Sequence, residues 1–268
     1  MIAGNQTEKG DANVESTVTA RPGWRQPVLL LLVFGPLLGL LFLYGKPIPQ
    51  DQSFHMFADI RTCLGVNNFG NVASNLLFLV VGAIGMAWCW RNTGMTARSS
   101  WFVFFLGVAL VFFGSGYYHY KPNDDSLVWD RLPMTIAFMG LFAALLSEHV
   151  SEKRELALLV SALVIGVGSV ILWKYTNDLR VYIWVQVTPL LAIPYLIAAY
   201  PGRFTHRHYL LYGVGFYGLA LVAQYFDYGF YVLTATGISG HSVKHLVAAA
   251  APFCVYWMLR KRVVSGDS

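Results

Sequence analysis

Three histidines, a serine and an aspartate stand in this chain at spacings that could assemble a hydrolytic metal centre. His241 and His245 lie four residues apart in GISGHSVKHLVAAAAPF, at the start of an apolar run. Positions i and i+4 share a helix face, so two imidazoles so spaced can grip one ion. Ser242 stands where an HExxH metalloprotease helix carries its glutamate, which argues against that type of site. Two interfacial histidines bonded to headgroups or water explain the pair alone equally well. His119 ends another apolar run and adds a third imidazole. Three histidines leave the fourth tetrahedral position on Zn²⁺ open, as catalytic zinc requires. Neutral imidazole, with no thiolate or carboxylate cluster pointing elsewhere, also suits zinc.

The stretch GSGYYHYKPNDDSLVWDRLPM, residues 114–134, holds the other candidates. Ser115 precedes His119 by four residues, on the same helical face and one turn deeper. Its hydroxyl could donate to the oxyanion that forms when water attacks a carbonyl. Beside Gly114 and Gly116 it also reads as a small residue packing a helix interface. Asp130 follows His119 by eleven residues, and the intervening KPNDD carries turn chemistry, so the chain returns to the level of His119. A carboxylate there could take a proton from the attacking water and pass it to a leaving amine. The alternative is a helix N-terminal charge, a task for which Asp124 and Asp125 are better placed.

Membrane helices must position these groups. Hydrophobic residues make up 56% of the 268-residue chain and charged ones 12%, against about 25% charged in soluble domains. Eight apolar runs, 27–45, 71–90, 101–119, 131–148, 155–173, 181–200, 208–226 and 242–259, approach the roughly 20 residues a helix needs to cross a bilayer core. Short connectors leave no room for a soluble domain between them, so one helical bundle is expected. The first run lacks a small-x-small cleavage site in the following KPIPQDQSF and reads as a retained anchor. Residues 1–26 read as a disordered polar tail, and 261–268 as a short basic one. Cys63, Cys89 and Cys254 are too scattered for a disulfide framework.

Eight spans put both termini on one side, which carries twelve of the nineteen lysines and arginines against seven opposite. Both termini are therefore expected in the cytoplasm. The net charge of +5 is then a topology signal and calls for no nucleic-acid partner. His119, Asp130, His241 and His245 all fall at the outer, periplasmic or lumenal, face. Trp88, Trp90, Trp101, Trp173, Trp184 and Trp257 lie near span ends and read as an interfacial belt. Pro189 and Pro194 should bend the sixth span, and Gln224 and Asp227 could line the site entrance.

With GSxxxH, the eleven-residue step to the aspartate of WDRLPM, and HxxxH opening the last span, the chain resembles the alkaline ceramidase family. That family lies within a wider group that includes the adiponectin-type receptors. The resemblance spans roughly 59–260 and extends to FGNVASNLLF at 69–78, with Asn71, Ser74 and Asn75. It implies an all-α integral membrane fold, a seven-helix ceramidase-like bundle over 71–259, with the run at 27–45 as an added transmembrane helix. It implies zinc held by His119, His241 and His245, Asp130 activating the water and Ser115 assisting. The implied reaction is hydrolysis of the amide of ceramide or a related N-acyl lipid to a sphingoid base or amine and a fatty acid. The family's calcium site is not expected here, since ADIRTCLGVNNFGN offers one carboxylate, Asp59, with Asn67, Asn68 and Asn71.

The competing reading is a lipid-binding, receptor-like membrane protein with a structural zinc and little hydrolysis. Asp130, placed as a base, favours the enzyme. Beyond the lipid substrate and the membrane lipids no partner is indicated, and the oligomeric state is not legible in the sequence.

Overall fold

The computed structural model describes residues 23–200 and 202–265; most of the expected N-terminal tail and the end of the basic tail lie outside the described residues. Every regular element among the described residues is helical. The order is α1 (Arg25–Leu38), α2 (Phe69–Ala73), α3 (Leu76–Arg91), α4 (Arg98–Tyr120), α5 (Asp124–His149), α6 (Glu155–Thr176), α7 (Arg180–Ala199), α8 (His208–Tyr225), α9 (Asp227–Leu233) and α10 (Gly240–Lys261). Among the described residues seven helical stretches are long and apolar enough to cross a membrane, α2 and α3 together forming one of them. An eighth exists if α8 and α9, bent by 76°, count as a single span. The protein is thus an all-α, multi-pass membrane bundle, and the seventh expected run crosses only with the help of α9.

Local sequence explains the breaks. Pro36 in α1 removes a backbone donor, and the helix widens into a π turn over Gly39–Leu43. Between α2 and α3, Ser74 Oγ and Asn75 Nδ2 both donate to the Asn71 carbonyl, at 3.1 and 2.8 Å. Side chains that compete for backbone acceptors in this way interrupt a helix. At α5, Asn123 Oδ1 accepts from the Asp125 and Ser126 amides at 2.9 Å, and Ser126 Oγ accepts from the Asn123 amide. With this capping box the cap role falls to Asn123, and Asp130 sits free of it.

α4 and α5 approach closely through glycines facing backbone. A Cβ at Gly140 would lie 2.6 Å from the Phe104 amide nitrogen, and one at Gly107 would meet the backbone of Ala137. Small residues at such crossings let membrane helices pack without a hydrophobic driving force. Gly140→Ala is expected to destabilise the bundle by about 1–3 kcal/mol through overpacking, read as a lower thermal midpoint in detergent. Large side chains such as Leu31, Phe42, Leu156, Val164 and Leu219 are exposed on the outside, as a lipid-facing surface requires.

Three of the expected belt tryptophans are instead buried partners. Trp101 Nε1 donates to Glu148 Oε1 at 2.8 Å, Trp184 Nε1 to the Val33 carbonyl at 2.5 Å, and Trp173 stacks on Arg131. The Trp184 bond and one from Tyr195 Oη to the Arg25 carbonyl at 2.7 Å fix α1 against α7. After α1 the chain runs as a strap across the ends of the neighbouring helices. Leu179 N donates to the Ile48 carbonyl at 2.8 Å, Gln50 N to Asn177 Oδ1 at 3.0 Å, and His55 Nε2 meets Asp124 Oδ1 at 3.0 Å.

Candidate metal centre

His119 closes α4, while His241 and His245 lie on the first turns of α10, at the same end of the bundle. All three are buried, at 1, 4 and 3% exposure. One ligand nitrogen from each lies within 4.8 Å of the others. His119 Nε2 and His241 Nε2 are 3.3 Å apart, about the edge of a tetrahedron with nitrogens at the usual ~2.0–2.1 Å from zinc. Ser74 Oγ meets His245 Nδ1 at 2.8 Å and so turns Nε2 of that ring away as the free ligand atom. Phe57 packs edge-on against both His119 and His241 with ring centroids 4.8 Å apart, closing one side to water. The donor set of three neutral imidazoles therefore fits a zinc ion.

The helix starts are held by residues whose part the sequence did not disclose. Asp227 accepts from the His241 amide at 2.7 Å and from the Ala58 amide at 2.9 Å. It thus satisfies one free amide at the start of α10 and ties the strap to the metal helix. Asn71 Oδ1 accepts from Ser239 Oγ and Ser242 Oγ at 3.2 and 3.0 Å, and Asn68 Nδ2 donates to the His119 carbonyl at 2.7 Å. Asn71 and Ser74 were visible as polar residues inside an apolar run. Phe57 carried no such signal.

Ser115 and Asp130 come together on the wall of one cavity, which His245 also lines. The cavity, about 520 Å³, runs among α4, α5, α7, α8 and α10 and is mostly apolar, within the size range of small-molecule sites. Gln224 lines it, but Asp227 does not; the latter serves the backbone instead. His55 stays outside the cluster, bonded to Tyr118 Oη and Asp124.

Asp59 bears on calcium. Arg61 takes its carboxylate from two sides, Nε to Oδ1 at 2.8 Å and Nη2 to Oδ2 at 2.7 Å, and also donates to the Gly237 carbonyl. A guanidinium thus occupies the one carboxylate of that segment. This hydrogen bonding holds the Asp59 carboxyl below its ordinary range, against the opposing effect of burial. The stability it contributes is present above the unfolded value of about 3.9 and is lost as pH falls through the lower folded value. Arg61→Met is expected to cost roughly 1–3 kcal/mol near neutral pH, because a buried carboxylate loses its partner. The deficit should shrink on acidification as Asp59 protonates, which thermal melts across pH would show.

A multi-pass helical membrane protein, with a buried three-histidine centre beside an apolar cavity, is the class that fold and site define. Within that class the sequence assigns the particular family: the model of the Ceramidase family matches residues 63–260, and the chain belongs to that family. Membership supports ceramide-hydrolase activity in general terms. No curated protein and no solved structure matches the chain. Phe57, Ala58 and Gln50 precede the matched stretch, so the site also draws on chain outside it.

Proposed function

We propose that the protein is a zinc-dependent intramembrane amidase that cleaves ceramide or a related N-acyl lipid to an amine and a fatty acid. The observation that carries this reading is the convergence of His119, His241 and His245 beside a cavity that also holds Ser115 and Asp130. Zinc held by the three imidazoles would act as a Lewis acid on the amide carbonyl and lower the pKa of water.

The chain's own residues supply the proton transfers and the orientation. The Asp130 carboxylate accepts a proton from the attacking water as its oxygen bonds to the carbonyl carbon. Ser115 Oγ, on the same cavity wall, donates its hydrogen to the developing oxyanion. As the C–N bond breaks, Asp130 returns its proton to the leaving amine, which yields the amine and the fatty acid. The apolar walls at Phe104, Val108, Leu141 and Val255 take the acyl chain and exclude water.

From the lysine and arginine distribution we place both termini in the cytoplasm and the site near the outer face. The boundaries we assign are an added helix at 27–45 and a ceramidase-like domain at 59–260. The test is elemental analysis of detergent-purified protein together with hydrolysis of N-acyl lipids. About one zinc per chain and hydrolysis abolished by a chelator and restored by zinc are expected. A folded protein that binds no zinc even when it is supplied would sink the reading.

A further inference from the structure

Arg131 neighbours Asp130 on α5 but is absent from the mechanism above. It is 5% exposed and lines the same cavity. Nη2 donates to Gln50 Oε1 at 2.5 Å, and the guanidinium lies 3.9 Å from the Trp173 ring centre and 4.6 Å from that of Tyr182. Nη1 is buried without a hydrogen-bond partner. Among the described residues Arg131 makes no ion pair, unlike Arg61, Arg180, Arg203 and Arg262. Stacking on two rings offsets part of the desolvation of this charge. It does not supply the contact ion pair that a buried guanidinium, which cannot deprotonate, otherwise finds; Asp130 and Asp124 act on it only from beyond that distance.

The other charges along the cavity leave that place open. Asp51 is exposed at the lip, and its carboxylate accepts from Ser53 N and Oγ at 2.9 and 2.8 Å. Asp130 faces both Lys244 and Arg131 without an ion-pair contact to either, and it is committed to proton transfer. Lys244 adds a second cation. The cavity also has a direction. Phe104 precedes Ser115 by eleven residues on α4, or roughly 16 Å at 1.5 Å per residue. One leaflet of a ~30 Å hydrocarbon core accounts for about 15 Å, so an acyl chain running from Ser115 toward Phe104 fills the apolar end. The amine half of the lipid is left facing Gln50, Arg131 and Tyr182.

We propose that this outer end is a headgroup subsite in which Arg131 pairs with an oxyanion, a carboxylate or a phosphate, on the amine half of the N-acyl lipid. The preferred substrate is then anionic where ceramide is neutral. The proposal deepens the amidase reading and rests on it.

The test uses the full-length, zinc-loaded protein in detergent with three palmitoylated substrates: neutral ceramide, ceramide 1-phosphate and N-palmitoylglycine. Wild type is expected to favour at least one anionic substrate over ceramide by about tenfold or more in kcat/KM, equivalent to about 1.4 kcal/mol. The favoured one tells phosphate from carboxylate. Arg131→Met should erase the preference through KM, and Arg131→Lys should restore part of it. Equal preference in wild type and Arg131→Met, or ceramide favoured by wild type, overturns the proposal. So does a result in which Arg131→Met weakens inhibition by palmitate, but not by hexadecanol, with substrate preference intact, since the oxyanion would then be the product's own carboxylate. If no substrate is cleaved, the amidase reading fails on its own. Displacement of a fluorescent acyl probe by ceramide 1-phosphate or N-palmitoylglycine against ceramide, in wild type and Arg131→Met, still decides the subsite. Should Arg131→Met not fold, the same comparison of wild type with Arg131→Lys decides it.

Discussion

Asp130→Asn is expected to lower kcat/KM for amide hydrolysis by roughly 10²–10⁴-fold, the range general acid–base catalysis contributes. Bound zinc should stay at the wild-type level, because Asp130 is not one of the three clustered residues. Asparagine keeps the shape, so the fold and the cavity should persist, with a thermal midpoint close to that of wild type. The loss should appear in kcat, since the missing group acts in the transition state rather than in ground-state binding. Ser115→Ala offers the graded comparison: it removes the hydroxyl from the cavity wall and leaves the base. A fall of about 10-fold would fit an orienting or oxyanion role worth one hydrogen bond. If Asp130→Asn turned over lipid at the wild-type rate, another base would have to be sought along the cavity, with Asp51 at its lip the next carboxylate.

Much of this architecture could be read before any coordinates, because bilayer thickness and helix pitch leave a chain so apolar little choice. His241 and His245 shared a face by spacing alone, and the turn chemistry of KPNDD corresponds to the capping box at Asn123 that opens α5. What escaped the sequence depends on distance in space rather than along the chain. Asp227 looked like an entrance residue, yet its two oxygens serve amides fourteen and 169 residues away. Phe57 precedes the first family span in a segment with no periodicity, and nothing local marks it as the wall behind two histidines. Trp173 and Arg131 belong to different helices, so a residue fit for the interface became half of a buried cation–aromatic stack. Arg131 itself could have been suspected from cost alone, since a cation inside a span needs a reason.

His241→Ala carries the second large effect, a loss of zinc together with the loss of hydrolysis. Partners behind a metal ligand are worth about 10–100-fold in affinity, so removal of a ligand itself should exceed about 100-fold, and protein purified without added zinc should come out metal-free. The substitution is well placed for this test, because the bond anchoring the start of α10 runs from the His241 backbone amide to Asp227 and does not need the imidazole. The helix should therefore keep its cap at Ser239 and its tie to the strap. Ser74→Ala gives the matched control: it strips the hydroxyl from His245 Nδ1 without touching the donor count. Zinc titration should place it between wild type and His241→Ala. If His241→Ala still bound one zinc with wild-type affinity, the ion would be held elsewhere. The 3.3 Å approach of the two Nε2 atoms would then mean a shared proton between imidazoles, and the water-activating centre would be lost from the proposed reaction.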